Sequence, residues 1–466
     1  MYVCGPTVYN YIHVGNARTF LSFDVIRRYL EWRGYDVGFI QNITDIDDKI
    51  IARALEEGRS FEEVAAYYTD AFIADMRSVG VEDPTVRPKA TETISQMIAL
   101  TQELIAGDHA YATDEGDVYF SVRSFPEYGK LSGRDIDDLR HGTRKAVDEQ
   151  KRDPLDFALW KSAKSGEPSW ESPWGAGRPG WHIECSAMSD LELGIPFDIH
   201  GGGVDLVFPH HENEIAQTEA VTGKKMAHYW MHGGMLQASG EKMSKSLGNF
   251  MLLRDLVKDY EPNVIRLLML QTHYRSPLDF SDDRLKEART SFERIQTLVD
   301  RAHLALEEAR ALKAKHRLFS QMFPGSASTE LQSAYRASAA AYILEMDDDF
   351  NTAGAVGQLF ELVRSMNVFL DAVSEGKDAG LGEDEFFALE AAYNKLVELF
   401  AVLGLTLTPS SAQAAPPEAE TLLEERNSAR AAKDWTRADE IRDELAALGF
   451  EIKDTAQGPQ LIAKAD

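Results

Sequence analysis

Two thiols, an imidazole and a carboxylate in this sequence are of the kinds that bind zinc: Cys4, Cys185, His210 and Glu214. His210 and Glu214 stand in Pro209-His210-His211-Glu212-Asn213-Glu214. A helix starting after Pro209 would set them four apart on one face. Two plainer accounts stay open. The cysteines could be small buried hydrophobes, and His210 with Glu214 a pair on a helix surface. The four donors are scattered along the chain rather than gathered in a compact knuckle.

Two further stretches carry residue types suited to a polyphosphate. His13-Val14-Gly15-Asn16 falls where a first strand turns into a first helix. The free N–H groups and positive dipole end of a helix suit a triphosphate. Gly15 lets a ligand approach the backbone, and His13 can donate to phosphate oxygens. The plainer account is a Gly-Asn turn with His13 packed against it. Lys242-Met243-Ser244-Lys245-Ser246-Leu247-Gly248-Asn249 places two lysines three apart among Ser, Gly and Asn. It reads either as a basic loop able to close over a polyphosphate or as a solvated basic turn.

The elements that must position these residues begin as an alternation of strand and helix. Tyr2-Val3 is a short apolar start broken at Gly5-Pro6. A helix is expected from about Asn16 to Arg33, with Phe20, Phe23, Val25, Ile26, Tyr29 and Leu30 on its apolar face and Gly34 as its cap. Val37 to Asn42 reads as the next strand, so the unit is βαβ and the sheet parallel. From about 84 to 180 the pattern changes to an insertion in this first domain, with a strand at Asp117–Val122. Strand and turn signals return at Phe197–His200 and Gly201–Gly203. From 281 to 408 the chain reads as a helical bundle: Leu285, Phe292, Ile295, Val299 and Ala302 keep helical spacing, as do Val356, Leu359, Phe360, Val363 and Leu370. Asn351-Thr352 stands as a cap before the second series. A Ser/Ala/Pro-rich linker over 409–417 separates a small unit, 418–466. The expected architecture is α/β, a Rossmann-type parallel sheet with an insertion, then the bundle and the small C-terminal domain.

Composition bounds what such a chain does. It has 466 residues, with 49 Lys and Arg against 76 Asp and Glu, a net charge of −27. No apolar run reaches the ~18 residues of a membrane span, and no secretory signal is readable at the N-terminus. Two cysteines cannot staple a protein of this length, so a cytoplasmic location is expected. The acidity argues against a generic nucleic-acid coat or an anionic-membrane binder. It does not argue against selective RNA recognition, which depends on where a few cations sit. Arg426, Arg430, Lys433 and Arg437 recur at spacings of four, three and four, one face of a continuous helix. Asp434 would break that stripe if it capped a second helix.

The His13–Asn16 and Lys242–Ser246 elements, in this order on a βαβ domain with an insertion between its halves, resemble the HIGH and KMSKS signatures of class I aminoacyl-tRNA synthetases. Further stretches resemble the cysteinyl-tRNA synthetase family: 1–9, Asn42–Lys49, Trp181–Met188, Gly201–Leu206 through Glu214, Asp347–Thr352 and Lys433–Asp439. The resemblance covers nearly the whole chain. It implies one Zn2+ per chain on Cys4, Cys185, His210 and Glu214, at the floor of a cysteine pocket. It also implies ATP with Mg2+ as substrate, Trp181 in the pocket, and Thr44 near the substrate amino group. The implied reaction is ligation of L-cysteine to tRNA(Cys) through cysteinyl-adenylate. His13, Gly15, Asn16, Lys242 and Lys245 would serve ATP, with Asn16 replacing the second histidine of the named signature. A monomer is expected, with 281–408 and 418–466 meeting the tRNA and its anticodon. Family members usually carry roughly twenty further residues before the first strand, so the placement of Cys4 is where that difference should tell.

Two other readings compete. A cysteine ligase that joins cysteinyl-adenylate to an aminosugar would share the zinc and ATP residues but has no use for 281–466. A zinc-structured RNA-binding protein without catalysis has no use for the Lys242–Ser246 loop.

Overall fold

The computed structural model describes residues 1–136, 150–238, 241–242, 251–314, 326–375, 381–410, 417–432, 434–455 and 458–463. They form two compact bodies. The first holds Met1–Ala288, Glu345–Gly354 and Val402–Leu405. The second holds Arg289–Leu344, Ala355–Ala401 and Thr406–Asp466.

The first body starts with β1 (Tyr2–Val3), α1 (Val14–Trp32) and β2 (Ile40–Gln41). Helix α1 begins two residues earlier than its apolar spacing indicated, because His13 caps it. The His13 side chain accepts from the Asn16 N–H at 3.2 Å, and the Asn16 side chain accepts from the His13 N–H at 3.4 Å. Arg33 is the C-cap, and Gly34 follows at φ +91°, the left-handed region that glycine enters without strain. Helices α2 (Asp48–Glu57), α3 (Phe61–Ser78) and α4 (Ile94–Ala106) come next. The insertion then builds an antiparallel sheet of β3 (Ala110–Ala112), β4 (Val118–Phe120), β5 (Phe157–Ser162) and β6 (Gly177–Pro179), in that order.

The chain returns through α5 (Trp181–Leu193), β7 (Phe197–Gly203), α6 (Glu212–Thr222) and β8 (Ala227–Gly233). The central sheet has the order β2-β1-β7-β8 and every pair is parallel, as crossover helices require. Tyr2 pairs with Ile40 on one side and His200 on the other, which centres β1. The insertion does not keep a core to itself: Phe120, Phe157 and Trp160 share one apolar cluster with Ile183 and Ala187 of α5 and Ile215 of α6. Those two helices carry Cys185 and Glu214, so packing of the insertion bears on their placement.

A small sheet follows, β9 (Leu236–Ala238) with β10 (Glu241–Lys242), then α7 (Leu253–Asp259), α8 (Pro262–Leu270) and β11 (Leu278–Asp279), which joins β9 in parallel. Of the basic octapeptide, Lys242 ends β10, while Lys245 and the rest of 243–250 lie outside the described residues.

Helix α9 (Asp282–Ala314) leads out of the first body, and α10 (Ser326–Asp347), α11 (Thr352–Glu375) and α12 (Glu383–Val402) complete the helical region. Leu285, Phe292, Ile295, Val299 and Ala302 are all buried, as their spacing indicated, and Asn351 caps α11 by accepting from the Gly354 N–H at 3.1 Å. Helices α13 (Pro417–Ala431) and α14 (Trp435–Ala447) and the hairpin β12 (Phe450–Thr455)–β13 (Gly458–Ala463) make the small terminal unit. Here the single cationic face is corrected. Asp434 accepts from the Arg437 N–H at 3.1 Å and opens a new helix, so Arg426 and Arg430 lie on α13 and Arg437 on α14. Lys433 lies outside the described residues. Arg437 is engaged by Glu425, Glu440 and Glu444 at 3.3, 3.3 and 2.7 Å.

Candidate metal centre and nucleotide site

Each zinc-type donor reaches the first body's interior by a different route. Cys4 follows β1 directly, its N–H bonded to the Gly201 carbonyl at 3.0 Å. Gly5 must lack a side chain, since a Cβ there would lie 1.6 Å from the Asn42 carbonyl oxygen. Cys185 sits in the second turn of α5. His210 lies in the widened turn Val207–His211 before α6, and Glu214 in the first turn of α6. The ligand atoms of all four lie within 4.8 Å of one another, and all four residues are buried. Cys4 Sγ is 3.7 Å from Cys185 Sγ and 3.6 Å from Glu214 Oε1, which His210 Nε2 meets at 3.0 Å.

Histidines that the sequence did not single out surround this group. His211 Nε2 is 3.4 Å from Cys4 Sγ, and His200 Nε2 is 2.7 Å from Glu214 Oε2. The ligand atoms of Cys4, His200, His211 and Glu214 thus also lie within 4.8 Å of one another, a second set of donors. His182 and His210 face each other through their Nδ1 atoms at 2.8 Å, and His211 Nδ1 meets His232 Nε2 at 2.8 Å. His182 precedes Cys185 by three residues on α5, whereas no sequence spacing links His200 and His232 to the metal-type residues; the parallel sheet, on β7 and β8, brings those two in.

Burial governs the electrostatics. It pushes the Cys4 thiol well up, reinforced by Cys185. At Cys185 the hydrogen bond with Cys4 pulls down, but burial and the Glu214 charge outweigh it and the thiol is raised. Burial also holds His210 and His211 well below their ordinary value, takes His182 to about 3 and His232 to about 4. Neutral imidazoles keep the lone pairs a metal needs. Two thiols, neutral imidazoles and one carboxylate, all dry and converging, fit a thiophilic divalent cation.

The expected pocket residues adjoin this cluster. Trp181, at the start of α5, stacks on His210 with ring centres 4.2 Å apart and stays 38% exposed. Thr44 is buried and donates to Glu184 Oε2 at 2.7 Å. Burial raises the Glu184 carboxyl well above its ordinary value, with the Thr44 hydrogen bond pulling the other way. Asn42 links the parts: its Oδ1 accepts from the Gly5 N–H at 2.8 Å and lies 3.8 Å from Cys185 Sγ, and its Nδ2 is 3.4 Å from Thr44 Oγ1. Asn42 and Glu184 fall within stretches that carry the family resemblance, but no role was expected of either.

The nucleotide-type residues stand on the first turn of α1. His13 and Asn16 engage each other in the capping box, and a Cβ on Gly15 would come 2.8 Å from the His13 ring. His13 also forms an antiparallel bridge with Leu252, so the far end of the basic segment returns to this helix.

Comparison with known proteins shows the family. Residues 1–290 match the family model described as tRNA synthetases class I (C) catalytic domain. Residues 341–408 match the DALR domain, and 412–460 the cysteinyl-tRNA ligase anticodon binding domain. A cysteine–tRNA ligase of Nitratidesulfovibrio vulgaris (strain DP4) is 50% identical over 471 residues, covering 98% of this chain and 94% of its own. One of Brevibacillus brevis is 49% identical over 458 residues, covering 98% and 93%. Among solved structures, a Mycobacterium tuberculosis methionyl-tRNA synthetase with methionyl-adenylate superposes at a TM-score of 0.62 and 16% identity, over 86% of this chain and 89% of its own. A putative arginyl-tRNA synthetase of Campylobacter jejuni gives 0.59 at 13% identity, over 87% and 93%. The likeness to these last two is one of fold. With a catalytic family model over more than half its length and relatives near half identical across nearly all of it, the chain belongs to the cysteine–tRNA ligase family of class I aminoacyl-tRNA synthetases.

Proposed function

We propose that this chain activates L-cysteine with MgATP and transfers the cysteinyl group to tRNA(Cys), selecting its amino acid through the thiol. The observation that carries the reading is the convergence of Cys4, Cys185, His210 and Glu214 within 4.8 Å beside Trp181 and Thr44. Cys4, Cys185, His210 and Glu214 would hold Zn2+, whose chemistry there is to prefer a soft thiolate over a neutral hydroxyl. A pocket that relied on apolar fit alone separates near-isosteres only weakly, whereas one built on a specific polar contact discriminates by orders of magnitude.

The chain's own groups do the rest. Trp181 closes the pocket rim against His210, and Thr44, fixed by Glu184 and Asn42, faces the substrate amino group. His13, Gly15 and Asn16 receive the triphosphate at the helix end, and Lys242 and Lys245 supply positive charge over it. Attack of the cysteine carboxylate on the α-phosphorus forms the P–O bond of the adenylate and expels pyrophosphate. The terminal ribose hydroxyl of the tRNA then displaces AMP. Neither step needs a protein nucleophile; alignment of reactants carries the rate.

The helical region and the terminal unit are assigned to tRNA. Trp435 is 59% exposed at the start of α14, a large apolar face suited to stacking on an unpaired base. The family model over 412–460 favours this reading over an aminosugar ligase, which has no use for such a unit. Charging of tRNA with cysteine against serine, with metal content measured on the same sample, tests the proposal. Cysteine-specific charging with about one zinc per chain supports it, and equal charging with serine or full activity without metal overturns it.

A further inference from the structure

Arg18 lies on α1, just over one turn past His13, and the residue is 1% exposed. Four backbone carbonyls hold it. Nη1 donates to Gly234 at 2.9 Å and Met235 at 3.1 Å, and Nη2 to His273 at 3.2 Å and Ser276 at 2.6 Å. No carboxylate pairs with it among the described residues, and burial lowers it to about 10, still cationic at neutral pH. A buried cation held by neutral acceptors alone is costly, and helix stability gives no reason for it. The carbonyls explain it. Gly234 and Met235 form the link into β9, and His273–Ser276 form the turn before β11, the parallel partner of β9. Arg18 therefore bolts both strands at the base of the β9–β10 hairpin to α1.

The other end of the basic segment is pinned to the same helix. The Val14 N–H bonds the Met251 carbonyl at 3.1 Å, and the Leu253 N–H bonds the Ile12 carbonyl at 3.2 Å. Leu252 at the far end bridges His13 directly, and Lys242 at the near end, paired with Gln237 of β9, is tied to the same helix through Arg18. A second support holds the 273–276 turn. Asp349, at φ +53°, accepts from Tyr274 Oη at 2.9 Å and from Arg275 Nε at 2.5 Å, while its carbonyl meets His273 Nε2 at 3.1 Å.

We propose that Arg18 is a positioning residue for cysteine activation, setting the base of the β9–β10 hairpin, and with it Lys242, against the helix end that carries His13 and Asn16, with Asp349 bracing the same turn. The inference rests on the activity proposed above. Lysine cannot replace the planar fork, because three donors at one point do not reach two separated carbonyl pairs.

Rapid-quench measurement of cysteinyl-adenylate formation tests it, since the burst amplitude counts intact sites and the rate reports their alignment. Arg18→Lys should keep its zinc, its burst amplitude and its KM for cysteine, while the rate falls on the order of 10- to 100-fold, as for a misplacement near 1 Å. Asp349→Asn, which tolerates a positive φ, should lower the rate less. The double variant should fall short of the product of the two, because both act on one turn. Unchanged rates, or losses confined to amplitude in both variants, overturn the inference alone. Absence of cysteine-dependent exchange in the unsubstituted protein overturns the activity and the inference with it.

Discussion

Sulfur is what the centre of this site cannot lose. Cys185 Sγ lies 3.7 Å from Cys4 Sγ, and an oxygen in its place is a poorer partner for a thiophilic cation. Cys185→Ser should leave the protein folded, reduce bound zinc below stoichiometry and cut cysteine-dependent ATP–pyrophosphate exchange by more than about 100-fold. Full exchange with no metal would refute the assignment. Two cysteines drew attention to Cys4 and Cys185, but His210 and Glu214 stand among twelve histidines and 76 acids, so it was the family resemblance, not residue type, that named the set of four the fold brings together. His200 and His211 were not legible, since their claim rests on distances of 2.7 Å to Glu214 and 3.4 Å to Cys4 that the fold alone creates. Arg18 was illegible for the same reason. An arginine on a helix face reads as solvated until the carbonyls around it are seen.

At the scale of elements, the first body is tied together by a buried ion pair that periodicity could not reveal. Asp24 of α1 accepts from Arg266 of α8 at 2.5 Å and from Arg28 at 2.9 Å, and Arg266 also donates to the Leu403 carbonyl at 3.1 Å. Burial alone would raise the Asp24 carboxyl, but Arg266 and Arg28 outweigh it and hold the group below its ordinary 3.8. A carboxyl depressed in the folded state contributes stability above its unfolded value and loses it as pH falls through the folded one. Asp24→Asn, which leaves the buried Arg266 guanidinium without its carboxylate, should cost about 3 kcal/mol near neutrality. The gap between parent and variant should narrow as pH falls below about 4 in urea unfolding, and a gap independent of pH would refute the account. Helix α1 itself was readable from its apolar spacing, but not its start, because the capping partnership of His13 and Asn16 has no strong propensity signature. Strand β2 shrank from the six residues of Val37–Asn42 to Ile40–Gln41, where parallel pairing with β1 stops. In the terminal unit the structure follows the alternative the sequence left open, with Asp434 capping a second helix and breaking the cationic stripe. Arg437 is already engaged by three glutamates whereas Trp435 stays exposed, and this is why the proposed contact with RNA is placed on the tryptophan. Trp435→Ala should leave adenylate formation unchanged and lower kcat/KM for tRNA about 10- to 100-fold, the value of one lost base stack. Unchanged charging would remove that residue from the RNA surface.

Over the whole molecule, a net charge of −27 and a tRNA substrate are compatible only if affinity comes from few, well-placed contacts. Residues 419–466 carry seven Lys and Arg against eleven Asp and Glu, so even the unit assigned to the anticodon repels bulk polyanion. Its contribution must then be specific, and it should be separable from activation, whose residues all belong to the first body. A natural place to cut is after Ser410, whose N–H and hydroxyl bond Asp300 at 2.8 and 2.9 Å and so finish the helical region. A chain ending there should retain cysteine-dependent exchange at the parental rate but lose at least about tenfold in kcat/KM for tRNA(Cys). The parent's advantage should shrink as salt rises by only the few phosphate contacts the unit makes. Equal charging by the shortened chain would show that 412–460 does not read the anticodon, and a steep salt dependence in the parent would show that bulk electrostatics, against the charge count, does the binding.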